Sequence, residues 1–240
     1  MLIEWKSEKR RNPFAPQWNI PFWYVKIFEE DECEDIAQSV LRREKEIIEQ
    51  FKSVTNDGGT GLGPQSLTAK FSQFSVWEWD EPWVNTIRDR VNIASAGLGA
   101  YMEHVGEWEF VPCITCQEEK TYNYRECLLY SQSWANVMRV GEQIHPHWHS
   151  SYRDSFLGGH VCISANETST YYGNPYNKQL VKAFPNEVGY LTMFPNHLVH
   201  WTDVHNHSKE RISIAMDVLT EQGWEDHPDQ NIKPNYKLIS

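Results

Sequence analysis

The residue types and spacing that point to chemistry are His147-Trp148-His149, His200 and Arg211. His147 and His149 stand two apart, so locally extended backbone aims both imidazoles the same way. His200 follows an apolar run closed by Pro195, and Arg211 opens another. Two histidines on one turn and a third from a distant strand can cap one face of a metal ion. Other coordination positions then stay open, as catalysis requires and a structural site does not. Of the ten histidines only His104 and His227 lie outside 145–207, and such clustering favours a metal over isolated core imidazoles. Residue types alone admit iron, zinc, manganese or no metal.

Two segments must position these residues, 134–163 and 188–218, each carrying alternating apolar strands and each ending a strand or turn in histidine. Strands are expected at 108–113, 124–131, 134–140, 158–164, 168–172, 188–194 and 210–218, with Gly, Pro and Asn between them. Many short strands with such punctuation read as a sandwich or barrel rather than a parallel α/β sheet. Upstream, residues 1–24 mix charges, prolines and aromatics and read as an extended arm running into a strand at 22–28. Ile36, Val40, Ile47, Ile48 and Phe51 recur at helical spacing over 31–51, with Arg42, Arg43, Glu44, Lys45 and Glu49 as a solvated face. Residues 69–79 alternate like a strand. Pro82 starts a second helix that reaches about His104. Asn56–Gln65 (NDGGTGLGPQ) lacks the GK[ST] of a phosphate loop and reads as a mobile loop and candidate lid. The expected fold is mainly β: a double-sheet, cupin-like jelly roll (107–220) supported by N-terminal helices (25–106), followed by a tail (221–240), all one domain.

Composition narrows the partners. A net charge of −11 opposes nucleic acid or an anionic membrane as the default partner. The N-terminal MLIEWKSEKRR has no apolar core, so no secretory signal is expected, and no run approaches a membrane span. The expected location is the cytoplasm. Five scattered cysteines make a poor disulfide framework and suit a reducing compartment. Cys113 and Cys116 form a CxxC with no second half to complete a zinc site.

Ser133-Trp134-Ala135-Asn136, Gly141, His147-Trp148-His149 and Gly159, followed by Gly189, Leu191, Phe194-Pro195, His200 and Arg211-Ile-Ser213-Ile, carry a resemblance. In order and spacing they resemble the 2-oxoglutarate/Fe(II)-dependent oxygenase family of phages and marine bacteria. The likeness covers about residues 20 to 218 and is strongest over 133–218. It implies a double-stranded β-helix that uses Fe(II), 2-oxoglutarate and O₂ to hydroxylate a substrate, in the host cytoplasm if phage-encoded. Carried over by position, His147, His149 and His200 would be the metal ligands. Arg211 would grip the far carboxylate of 2-oxoglutarate, with Ser213 on the same face adding a hydrogen bond. A planar guanidinium suits that task, because it binds carboxylate bidentately and stays charged when buried.

Many oxygenases of this fold use two histidines and a carboxylate; this chain has HxH, as the family it resembles commonly does. Asp154 and His145 remain competing ligands. A neutral three-histidine set leaves more positive charge on the metal, which suits a dianionic cosubstrate and also zinc or copper. Asn136 is a candidate cosubstrate or substrate contact, or else ties down a buried strand end; alternation places Arg139 on the opposite face. Trp148, Trp201 and Tyr152 are candidate pocket walls, and His160, His197, His205 and His207 read as peripheral. Two other classes compete with the oxygenase. One is a non-catalytic binding or virion-associated jelly roll presenting the aromatic arm. The other is a three-histidine, cupin-like metalloenzyme that does not use 2-oxoglutarate. An Arg211 facing the metal favours the oxygenase, and one facing solvent favours the cupin-like enzyme. The primary substrate and the oligomeric state are not legible in the sequence.

Overall fold

The computed structural model describes residues 1–104, 128–149, 155–165 and 167–239. Its elements, in chain order, are strands β1 (Leu2–Lys6) and β2 (Asn19–Lys26) and helices α1 (Glu30–Gln50) and α2 (Pro82–His104). Strands β3 (Leu129–Met138), β4 (Ser155–Ser164), β5 (Ser169–Gly173), β6 (Val181–Pro185), β7 (Tyr190–Pro195), β8 (His200–Thr202) and β9 (Arg211–Thr220) follow. Helix α3 (Glu221–Glu225) and strand β10 (Lys237–Leu238) close the chain. The strands form two sheets, a seven-stranded one ordered β1-β2-β7-β4-β9-β3-β10 and a three-stranded one ordered β6-β5-β8. All strand pairs are antiparallel. The architecture is mainly β, two facing sheets with few helices, as expected of a jelly roll.

Alternation along β9 decides which face does what. Ile212, Ile214, Met216 and Val218 point outward and join Val161 of β4, Val137 of β3 and Leu191 of β7 in one buried cluster. Cys33, Ile36 and Val40 of α1 and Val84, Ile87 and Val91 of α2 cover that face. Each such side chain contributes about 1.5–3 kcal/mol on burial, so the helices close the back of the large sheet. Helix α1 begins with a reciprocal capping box between Glu29 and Glu32 and an acidic first turn, both favourable at a helix N-terminus. The residues between, Arg211, Ser213, Ala215 and Asp217, face the small sheet.

Several expectations need correction. Residues 1–24 are not a free arm: β1 pairs with β2, β2 pairs with β7, and Trp5 and Trp18 pack against a buried cluster around Phe22 and Tyr172. Residues 69–79 are not a strand. This stretch bonds within itself as two short 3₁₀ turns, Thr68–Lys70 and Val76–Glu78, and the Phe71 carbonyl accepts from the Gln132 amide of β3. Glu44 does not lie on a solvated face. It is 4% exposed and receives two hydrogen bonds from Arg139, at 3.0 and 2.7 Å. The short β6 and β8 were not expected. No helix among the described residues is long and apolar enough to cross a membrane. Cys113, Cys116, Cys127, the expected strand at 108–113, Tyr152 and Asp154 lie outside the described residues.

Candidate metal centre

Three imidazoles meet between the sheets. His147 and His200 form an isolated antiparallel bridge, each backbone N–H donating to the other's carbonyl, at 3.1 and 2.8 Å. A directly opposed pair shares a face, so the rings lie 4.4 Å apart. His149, two residues on, turns the same way and lies 4.7 Å from His200. One nitrogen from each histidine lies within 4.8 Å of the others.

The outer nitrogens fix what the inner ones can do. His147 Nδ1 donates to the His145 carbonyl at 2.8 Å, and His200 Nδ1 donates to the Leu198 carbonyl at 2.9 Å. His149 Nδ1 faces the Asp217 carboxylate at 2.5 Å. A neutral imidazole carries one N–H, so with Nδ1 protonated each Nε2 presents a lone pair inward. The Nε2 atoms of His147 and His149 then face each other at 3.2 Å. Two lone pairs at that distance repel unless a cation lies against them. The donor set therefore fits a divalent metal, with outer hydrogen bonds that orient each ligand.

A cavity of about 220 Å³ opens on this triad. Its floor is the inner face of β9 and the residues opposite on β3, where Asn136 pairs with Ser213 and Trp134 with Ala215. Arg211 lies at the far end, 3% exposed. Its Nη1 reaches only the weakly accepting Met138 sulfur, at 3.0 Å, and its Nε has no partner among the described residues. Burial lowers its pKa from the ordinary value. Beside it, Asn136 Nδ2 donates to Ser213 Oγ at 3.3 Å, and Asn136 Oδ1 is buried without a partner among the described residues. A buried cation and a buried acceptor left open on one cavity call for a ligand that brings charge and hydrogen bonds.

The structure thus brings His147, His149, His200, Arg211, Ser213 and Asn136 onto one cavity, with Trp148 and Trp201 on its walls. It corrects the reading of His160 as peripheral. His160 stands opposite Ala215 on β4 and lines the cavity, its side chain hydrogen-bonded to Asn186 and its pKa pushed down to about 3, chiefly by burial. His197 and His207 are exposed, and His205 is buried against the Lys209 carbonyl. His145 does not join the triad; its ring packs on Gly61, where an added Cβ would lie 2.5 Å from Nδ1. Asp217 was missed by sequence reasoning. The available signal was its position six residues after Arg211 on the same strand face.

The glycine-rich loop roofs the cavity through Gly58 and Thr60. It is held rather than free. Asp57 accepts from the backbone N–H of Gly59 and Gly61, at 2.9 and 3.2 Å, and His145 N–H donates to the Thr60 carbonyl at 2.9 Å. The fully buried Lys70 ammonium donates to the Val54 and Pro64 carbonyls, both at 2.7 Å, clasping the two ends of the loop.

No protein-family model and no curated protein matches this chain. Among solved structures, the fold is similar to that of the non-heme alpha ketoglutarate dependent carbocyclase SnoK from nogalamycin biosynthesis. That match has a TM-score of 0.51 and 9% identity over 91% of this chain and 92% of that one. The non-heme monooxygenase ThoJ, in its nickel complex, matches with a TM-score of 0.49 and 13% identity over 83% of this chain and 73% of that one. An oxidoreductase of the 2OG-Fe(II) oxygenase family from Burkholderia pseudomallei is matched over only 44% of its length and 38% of this chain, with a TM-score of 0.34 and 13% identity. What this chain shares with SnoK over nearly the full length of both is the fold, a mainly β double-stranded β-helix, and on it stand three histidines that could hold a metal.

Proposed function

We propose that the protein is an Fe(II)- and 2-oxoglutarate-dependent oxygenase that hydroxylates its substrate. The observation that carries this reading is the meeting, in one cavity, of three inward-facing Nε2 lone pairs with a buried guanidinium whose Nε has no partner among the described residues. His147, His149 and His200 would hold the metal. Iron bound there would couple oxidative decarboxylation of 2-oxoglutarate by O₂, giving succinate and CO₂, to placing the second oxygen atom in a substrate C–H bond. Arg211 binds the distant carboxylate of the cosubstrate, replacing its water with a charge-assisted, two-pronged hydrogen bond. Ser213 Oγ accepts from Asn136, which leaves its own proton to donate to the same carboxylate. Neutral ligands leave much of the metal's charge uncompensated, so a dianionic cosubstrate balances the metal and Arg211, against which the cavity sets only the Asp217 carboxylate. Gly58, Thr60 and the aromatic walls exclude water from it.

A second reading has one observation in its favour: the ligand set of the described residues contains no carboxylate, since Asp217 is engaged by His149. That is a three-histidine metalloenzyme that does not use 2-oxoglutarate. Anaerobic titration of the Fe(II)-loaded protein with 2-oxoglutarate separates the two. A weak visible charge-transfer band that appears with cosubstrate and is lost in Arg211→Ala is the expected result. Iron bound with no band overturns the 2-oxoglutarate reading and favours the second.

A further inference from the structure

The cavity continues past the metal triad, away from Arg211, into a chamber of different character. The Trp134 ring lies 5.3 Å from His149, and the Phe71 ring lies 5.9 Å from Trp134. The Gln132 amide donates to the Phe71 carbonyl at 2.6 Å, tying that ring's backbone to β3. Gly58 passes over the Phe71 ring with φ +67°, and a Cβ there would lie 2.9 Å from Phe71 Cε1. Only glycine brings the roof this low. Thr68, three residues before Phe71, lines the same cavity and is 2% exposed, and its hydroxyl is buried with no hydrogen-bond partner among the described residues. Trp148, 56% exposed, also lines the cavity and marks its open side.

We infer that the primary substrate places in this chamber an uncharged, largely apolar and flat group, an aromatic ring or its like, with one oxygen that hydrogen-bonds to Thr68. The inference rests on the oxygenase reading and deepens it by naming the substrate class. Three physical points carry it. Arg211 is the one Lys or Arg among the described lining residues, and six residues of strand, about 20 Å, separate it from Asp217 beside His149. An anionic substrate group in the chamber would lose its water without gaining a cationic partner among the described residues, at a cost of several kcal/mol. A cationic group would compete for Asp217, the carboxylate that holds the Nδ1 proton of His149 at 2.5 Å. Flat apolar groups instead gain contact area and edge-to-face geometry against two tilted aromatic rings. The unpartnered Thr68 hydroxyl then supplies a polar contact, and a buried polar group left unpaired is where specificity for a matching oxygen comes from.

The test uses Zn(II)-substituted protein loaded with 2-oxoglutarate and three probes on one skeleton: 2-naphthol, 2-naphthoate and 2-naphthylmethylammonium. Binding is read by ligand-observed NMR and calorimetry. We expect 2-naphthol to bind at least tenfold more tightly than either charged probe. Thr68→Val should weaken 2-naphthol about tenfold, the effect of one hydrogen bond, while leaving naphthalene unchanged. Comparing naphthalene with 2-naphthol on the unmodified protein measures the same hydrogen bond should the variant fold poorly. Equal or tighter binding of a charged probe, or no binding by any probe, overturns the inference. An unchanged 2-naphthol affinity in Thr68→Val, with no preference for it over naphthalene, overturns the role of Thr68. Failure of 2-oxoglutarate itself to bind, measured before any probe is added, instead marks failure of the oxygenase reading.

Discussion

Asp217 and His149 share a hydrogen bond of 2.5 Å between side chains that are only 11% and 8% exposed. The carboxylate comes from β9 and the imidazole from the segment facing it, so this bond fixes which nitrogen of His149 meets the metal. Asp217→Asn keeps the shape but removes the charge and lets the amide present its NH₂ instead. Metal affinity should fall about 10–100-fold, the usual effect of losing such an outer partner, with little change in secondary structure. Competitive Zn(II) titration against a chelator checks this, and an unchanged affinity refutes the orienting role.

Arg211 should show effects of opposite sign on stability and binding. A buried guanidinium whose Nε has no partner among the described residues costs stability in the ligand-free protein, so Arg211→Met should raise its melting temperature by a few degrees. The same substitution should weaken 2-oxoglutarate by about a hundredfold, the loss of a two-pronged charged contact. Thermal unfolding with and without the cosubstrate measures both. A lowered melting temperature in the ligand-free variant would refute the destabilising role of the guanidinium.

The pH dependence of the metal-free protein follows from the buried imidazoles. His147 is pushed down to about 4 and His160 to about 3, in both cases chiefly by burial. In the unfolded chain histidine titrates near 6.5. Between these values the unfolded state holds protons that the native state does not, so stability rises with pH. The contribution is complete above about pH 6.5 and is lost as pH falls through about 4 and then 3. Urea midpoints measured in chelator from pH 7 to 4 should fall, and the fall should be shallower in His147→Gln.

Lys70 holds the roof by its two hydrogen bonds to Val54 and Pro64 carbonyls. Lys70→Met keeps the apolar stem and leaves both acceptors open, which should cost about 2–4 kcal/mol. Backbone amides of residues 56–63 should exchange with solvent faster than those of β9. Equal protection of that loop in the variant and the parent would count against the clasp.

The strand alternation that put Arg211 and Ser213 on one face, the HxH spacing and the amphipathic periods of α1 and α2 were legible in the sequence because they are local. Each depends on the fixed repeat of a strand or helix and on residues a few positions apart. Glu44 misreads for the complementary reason: its burial is set by Arg139, a partner far along the chain, while residues 69–79 alternate like a strand yet bond within themselves as 3₁₀ turns. His160 and Asp217 likewise gain their place from the sheet register, which sets them opposite Ala215 and Gly158 across the β4–β9 pair. Residue order alone specifies short strands with histidines at their ends. Which nitrogens point inward depends on the folded chain, because the tautomer of each imidazole is set by an acceptor, at His145, Leu198 or Asp217, that the packed backbone brings to its outer edge.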